Sequence, residues 1–362
     1  MEPGGISRIL IVKLSALGDV VHALPAVEYL GKAVPGAAID WVVDKRFAPL
    51  LEGNSGLRRV IPLDLKAWKG KWTTAGTRRQ AAAAVRGLRE GRYDAAFDIQ
   101  GNTKSGVVTR LSGAPLRFGF DRRGVRESLN LLFTNWKVPS RAEDVHVTQK
   151  ILRVVIAPFG DDVPTSWNHR GIVLSPEEER EAARLLENLS PGTALRLLLH
   201  AGTTWNTKKM DPEFWAGIVL PLRNRFPGLG VFLSWGNEEE RREAETIRGL
   251  VGGSARVLPS LSLRELAAIC RVCGHMVGPD TGPLHIAAAV GAKTVSVFRA
   301  TDGRRNAPLG PGHRFLQAPL PCTACLRRRC ARDAECRESI RAEDVAEAVT
   351  ELTAGERRGP AA

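Results

Sequence analysis

The chain has 362 residues, 43% of them hydrophobic, and a formal net charge of +13. That length exceeds one ordinary hydrophobic core, so two domains are expected. No apolar run reaches the roughly 18 residues needed to cross a bilayer, and Met1-Glu-Pro-Gly-Gly lacks the basic and apolar parts of a signal peptide, which predicts a soluble, cytoplasmic protein.

The first predicted element, residues 8–13, is short, apolar and β-branched, the pattern of a strand buried on both faces of a parallel sheet. After it the spacing of Val20, Val21, Leu24 and Val27 turns helical, with Gly18 relaxing the turn between. Asp19 therefore falls at a helix start beyond the carboxyl end of a strand, where open α/β sheets place ligands. From these residues alone it serves either as a helix cap or as a chemical group.

Strands follow at 39–43, 59–63 and 95–99, with helices near 26–33 and 78–90, an alternation that predicts a parallel sheet covered on both faces. The basic surface is concentrated here: residues 1–170 carry 26 Lys and Arg against 16 acids. Between positions 58 and 79, Arg58, Arg59, Lys66, Lys69, Lys71, Arg78 and Arg79 face one acid, Asp64, with Trp68 and Trp72 among them. Cations mixed with aromatics suit nucleic acid, an anionic membrane surface or a phosphorylated glycolipid; an ordinary solvated face has the same composition.

Residues 157–174 are rich in Pro, Gly and Asp and read as a linker. A second alternating series follows: helix 176–188, strand 195–200, helix 212–225, strand 230–234, helix 238–250, helix 264–270, strand 275–277, helix 282–290 and strand 294–298. The fold class expected is α/β, two Rossmann-like parallel-sheet domains facing across a cleft. They divide as 1–165 and 172–320, followed by a Cys-rich segment and C-terminal helix at 321–362. G-x-G-x-x-G, Walker A and G-x-S-x-G motifs are all missing, as is a D-x-D pair for a diphosphate-bound cation.

The second series carries an anion site. Gly278-Pro-Asp280-Thr281-Gly282-Pro283-Leu-His285 runs from a strand into a helix whose first amides can hold a diphosphate, with Pro283 suited to the first turn. His285, four residues after Thr281, shares its face. A loop of the same kind, Thr203-Thr204-Trp-Asn-Thr-Lys208, follows the strand that ends at His200, and its hydroxyls and lysine suit a departing diphosphate. Among Glu238, Glu239 and Glu240, again at a strand end, one acid can accept from a ribose while the others complement the helix dipole.

Leu14-Ser-Ala-Leu-Gly-Asp-Val-Val-His-Ala-Leu-Pro25 taken with Asp280-Thr-Gly-Pro-Leu-His285 resembles glycosyltransferase family 9, within it the branch that adds the first heptose of the lipopolysaccharide core. Ile39-Asp-Trp-Val-Val-Asp44, Asp98-Ile-Gln-Gly-Asn-Thr-Lys-Ser105 and Val257-Leu-Pro-Ser-Leu-Ser-Leu263 match the same branch. The resemblance implies a GT-B fold with the acceptor on the N-terminal domain and ADP-heptose on the C-terminal one. It implies inverting transfer of L-glycero-D-manno-heptose to Kdo of Kdo-lipid A, at the inner face of the cytoplasmic membrane. In that reading Asp19 is the catalytic base. Thr203, Thr204 and Lys208 hold the diphosphate, Glu238 the nucleoside, Leu261 the adenine, and Asp280, Thr281, Gly282 and His285 form the donor loop. Lys66, Lys69, Lys104 and Arg126 then bind acceptor carboxylates and phosphates, and no cofactor is required. The alternatives are heptosyltransferase II, a family 9 enzyme with another sugar nucleotide, and a non-catalytic nucleic-acid-binding protein. The last is disfavoured by the paired donor loops, so no nucleic-acid partner is expected.

Two departures stand out. Met210-Asp211 replaces the Trp-Pro common after the diphosphate loop. The tail Cys322-Thr-Ala-Cys325-Leu-Arg-Arg-Arg-Cys330-Ala-Arg-Asp-Ala-Glu-Cys336 has a spacing suited to a structural zinc or an iron–sulfur cluster, or to reduced structural thiols. Cys270 and Cys273, in an apolar stretch, are expected in the core.

Overall fold

The computed structural model describes residues 5–68, 74–167 and 171–357. The chain divides into two compact units at Val173/Leu174, inside the Pro- and Gly-rich segment.

The N-terminal unit contains β1 (Arg8–Val12), β2 (Ala38–Asp44), β3 (Arg59–Leu63), β4 (Ala95–Asp98), β5 (Leu116–Phe120) and β6 (Trp136–Val138). They form one parallel sheet in the order β3-β2-β1-β4-β5-β6. Ile9, Leu10, Ile11 and Val12 are completely buried, as a strand covered on both faces requires. The C-terminal unit contains β7 (Leu195–His200), β8 (Leu229–Ser234), β9 (Ala255–Val257), β10 (His275–Pro279), β11 (Lys293–Phe298) and β12 (His313–Gln317). Its order is β12-β11-β10-β7-β8-β9, again all parallel.

Renumbered within each unit, both orders are 3-2-1-4-5-6, the doubly wound arrangement whose ligands sit where the strand order reverses. In the first unit that switch lies between β1 and β4, in the second between β7 and β10. Gly278 shows how tightly the second seam is drawn: a Cβ there would stand 2.7 Å from the His200 carbonyl oxygen.

Helix starts follow local chemistry. Ser175 accepts from the Glu178 amide while Glu178 accepts from Ser175, a reciprocal cap on Pro176–Leu189 with Pro at its first turn. Asn102 caps Thr103–Leu111, and Ser262 caps Leu263–Cys273, which ends at Gly274 in the left-handed region (φ 72°). Cys270 and Cys273 lie in the core on that helix, their thiols pushed up in pKa by burial.

The sequence reading did not find β5, β6, β9 or β12. β6, β9 and β12 are edge or near-edge strands of three to five residues with mixed burial, too short and too irregular for a periodicity signal. The C-terminal helix Ala342–Arg357 packs on the helix Pro212–Arg225 and contributes Val345, Ala346, Val349 and Leu352 to the core of the second unit.

Candidate functional site

At the first switch point the turn after β1 leads into the helix Leu17–His22, with Asp19 in its first turn. The N-cap position is Ala16, which has no capping side chain, and Asp19 Oδ2 accepts from the Ala16 amide at 3.3 Å. Asp19 keeps 32% of its side chain exposed and pairs with Arg126 at 3.9 Å. The turn is pinned from β4: Gln100 Oε1 accepts from the amides of Leu14 and Ser15, both at 3.1 Å, and Lys13 Nζ donates to the Ile99 carbonyl at 3.0 Å. Asp98, completely buried, accepts from the Gln100 and Gly101 amides, Ser105 Oγ and Asn130 Nδ2, so the loop after β4 is itself rigidly tied. Burial pushes the Asp98 carboxyl up in pKa against those hydrogen bonds.

Gln100 was not among the expected site residues. The signal was present, a polar side chain at the carboxyl end of the strand beside the switch, but nothing local reveals that its acceptor is aimed at the backbone of another strand's turn.

Of the expected acceptor cations, Lys104 is exposed in the first turn of Thr103–Leu111 and Arg126 is exposed beside Asp19. The Arg126 and Glu127 amides both donate to the Gly101 carbonyl at 3.0 Å, which places Arg126 on the braced loop. Lys66 lies on the short helix Leu65–Trp68 and its side chain is not described; Lys69 lies outside the described residues. The structure corrects part of the basic patch. Arg58 and Arg59 both bind Asp40, which is fully buried on β2, at 2.7 and 3.0 Å, and Tyr93 donates to the same carboxylate at 2.6 Å. These two arginines share one internal carboxylate while their side chains stay 43% and 40% exposed, so their charge is partly compensated from beneath.

The second switch point gathers Lys208, Asp280, His285 and Thr301. Lys208 Nζ lies 2.7 Å from Asp280 Oδ2 and 3.3 Å from the Asp280 carbonyl. Thr301 Oγ1 donates to the same Oδ2 at 2.7 Å, and His285 Nε2 is 3.5 Å from Oδ1. Burial pushes the Asp280 carboxyl up in pKa, yet His285 and Lys208 outweigh it and hold the group well below the usual carboxylate range. Asp280 thus stays ionised, with both oxygens engaged, and its geometry is that of an anchor for Lys208. Thr301, on the segment after β11, was missed by the sequence reading for the same reason as Gln100.

Thr281 occupies the N-cap of Gly282–Ala289 with extended backbone and no side-chain cap, and Pro283 lacks an amide hydrogen. The first amides of that helix therefore have no intrahelical partner and form an anion-binding end. Thr203 is buried and Thr204 exposed on the facing loop. Glu238 turns along its own helix to Arg241 at 2.7 Å, and Glu239 reaches Lys209 at 2.6 Å. Glu240 is the acid turned toward the loop: it accepts from the Gly236 amide at 2.7 Å and lies where a Cβ on Gly202 would be. Leu261 is half-buried, just beyond the Leu258 carbonyl that accepts from Trp235 Nε1 at 2.7 Å.

Met210 is in the core, and Asp211 takes the N-cap position of Pro212–Arg225 with its carboxylate on Arg337. The four tail thiols all line one small cavity with Thr207 and Arg299. They are free, and among the described residues no three His, Cys, Asp or Glu side chains converge as a set able to hold a metal ion.

Two doubly wound parallel sheets, each with polar groups collected at its switch point, are the two units of a GT-B fold. Residues 81–334 match the model for glycosyltransferase family 9 (heptosyltransferase). The chain is 33% identical over 324 residues to lipopolysaccharide heptosyltransferase 1 of Pseudomonas aeruginosa, covering 89% of this chain and 87% of the relative. It is 31% identical to the Escherichia coli K12 protein of the same name, covering 86% and 94%. Among solved structures it is similar to E. coli heptosyltransferase WaaC with ADP, with a TM-score of 0.76, 27% identity and coverage of 95% and 99%. The chain belongs to glycosyltransferase family 9.

Proposed function

We propose that this protein is an inverting heptosyltransferase of the lipopolysaccharide inner core, transferring L-glycero-D-manno-heptose from ADP-heptose to Kdo of Kdo-lipid A. The observation that carries the donor side is the grouping of Lys208 with the open amide end of Gly282–Ala289 at the β7/β10 switch. The names of the relatives support the sugar and the acceptor, since they are lipopolysaccharide heptosyltransferases.

The chemistry follows from the side chains. The acceptor hydroxyl needs a base as it attacks the anomeric carbon; Asp19, part-exposed on a turn pinned by Gln100, takes that proton. The C–O bond to the diphosphate breaks, and charge gathers on ADP. Lys208, kept in place by Asp280, and the amides at Thr281 and Gly282 stabilise that charge. Thr203 and Thr204 supply hydroxyls, and Glu238 or Glu240 meets the ribose. Asp280 orients Lys208, because an unpaired carboxylate beside a diphosphate would repel it. Arg126 and Lys104 meet Kdo carboxylates or lipid A phosphates, and their exposure fits an acceptor lying in an anionic membrane surface on the cytoplasmic side.

The test is turnover of ADP-heptose with Kdo-lipid A by the wild-type chain and by Asp19→Ala. Transfer by the wild type, with loss of transfer and retained ADP affinity in the variant, is expected. A wild type that uses neither substrate, or a variant that transfers at the wild-type rate, overturns the proposal or its base respectively.

A further inference from the structure

The loop that carries Lys208 is tied to the Cys-rich segment by contacts that phosphate binding does not require. Thr207 Oγ1 donates to the Arg327 carbonyl at 2.6 Å. The Trp205 ring meets two cations, Lys208 Nζ and the Arg328 guanidinium carbon, each 4.9 Å from its centroid. Arg299, only 1% exposed, donates to the Lys209 carbonyl from one nitrogen, and from another to the Asp333 carbonyl at 2.6 Å and to Asp333 Oδ1 at 2.7 Å. Arg337 joins Asp211 to Asp333. The Leu326 amide fixes the segment to the Ala300 carbonyl at 2.8 Å. Loop residues 205–211 are thus held at both ends and in the middle by residues 326–337, with a buried guanidinium as the fastening.

Residues 322–336, which overlap that segment, carry four of the chain's six thiols, lining the cavity beside Thr207 and Arg299. Cys322 and Cys325 are exposed, whereas Cys270 and Cys273 are in the core.

We propose that residues 322–337 form a thiol-bearing strap that positions the loop carrying Lys208, with Arg299 as a positioning residue, and that covalent modification of Cys322 and Cys325 weakens nucleotide binding. This rests on the reading of that loop as the diphosphate site. The strap explains why a buried arginine, costly to desolvate, bridges the carbonyl groups of Lys209 and Asp333 from two separate segments.

The experiment uses the full chain and ADP as the probe. N-ethylmaleimide adds across its C=C bond to a thiolate, forming an S–C bond while a solvent proton goes to the neighbouring carbon, so no oxidant is needed. Burial pushes the Cys270 thiol up in pKa and that of Cys273 to about 12, and both are shielded, while Cys330 and Cys336 are only part-exposed. A short exposure to one equivalent per exposed thiol, with the labelled positions read by peptide mass spectrometry, therefore yields chain modified at Cys322 and Cys325. ADP affinity by calorimetry should fall about ten-fold in chain labelled at Cys322 and Cys325. The Cys322→Ser/Cys325→Ser chain, treated for the same short time, should keep the ADP affinity it shows untreated. Thr207→Val, which removes one loop-to-strap hydrogen bond, should weaken ADP about five-fold and raise the donor KM while leaving the acceptor KM unchanged. Unchanged ADP affinity in the labelled chain or in Thr207→Val, while Lys208→Ala lowers it, overturns the strap. Unchanged affinity in Lys208→Ala as well overturns the diphosphate reading on which it stands.

Discussion

The two switch points solve one problem with opposite chemistry. In each unit the loop after the first central strand carries the residue assigned to the reaction, Asp19 after β1 and Lys208 after β7. In each, the loop after the neighbouring strand, β4 or β10, supplies a buried brace. The first brace is neutral: Gln100 grips two backbone amides and leaves the Asp19 carboxylate part-exposed, with Arg126 at 3.9 Å. The second is ionic: Asp280 grips the Lys208 ammonium itself at 2.7 Å. The first loop is held through its main chain, which leaves the carboxylate itself untouched by the brace. The second loop is held through the very side chain assigned to the phosphate, whose position the carboxylate beneath it fixes.

Predictions follow from breaking each half of that contrast. The largest effect is expected for Asp19→Asn, a loss of turnover of about 10²–10⁴ with ADP affinity preserved, measured by steady-state kinetics and calorimetry. Lys208→Ala should lower turnover by about 10²–10³ and also weaken ADP, so one variant moves kcat alone and the other both quantities. Asp280→Ala removes one partner of a buried pair and should destabilise the chain by about 3–5 kcal/mol, read from denaturant unfolding. Because the folded-state pKa of Asp280 lies below its unfolded value, its stabilisation is complete above the ordinary carboxylate range and is lost as pH falls below that range. The stability gap between wild type and Asp280→Ala should therefore narrow in acid. Gln100→Ala should cost turnover about ten-fold through a loosened Asp19 turn, with ADP affinity unchanged; a matching loss of ADP affinity would dissolve the distinction between the two braces.

The smallest effect concerns helix docking away from both loops. Glu178 caps its own helix and pairs with Arg264, which lowers its pKa to about 2. Its contribution is present above the unfolded value and is lost between about pH 4.5 and 2. Glu178→Gln should lower the thermal midpoint by a few degrees at pH 7, with a smaller difference near pH 2.

What the sequence made legible was local. β1, β2, β7 and β11 read clearly because continuous apolar runs have few alternatives, and the Pro283 helix start and the Ser175 cap are written in adjacent residues. The loops bearing Asp19, Lys208 and Asp280 were found because strand ends in such sheets are ligand sites. What could not be read is what joins residues far apart in the chain. Nothing near Gln100 points to Leu14, nor anything near Thr301 to Asp280, and Arg58 and Arg59 look like free surface until Asp40 is seen beneath them. The acidic triplet shows the same limit: helix periodicity does not tell which of Glu238 and Glu240 turns toward Gly202. Cys322, Cys325, Cys330 and Cys336 line one cavity, and nothing in their spacing points to Arg299 among them.

Gly278 carries a consequence for any change to this protein that leaves the named groups untouched. A single methyl group at that position would act as a wedge against the His200 carbonyl, prying β10 from β7 at the line where both donor loops leave the sheet. The separation of Lys208 from Asp280 is thus governed by the thinness of a backbone, and a chain with every functional side chain intact can be disabled by added bulk at a residue that has none.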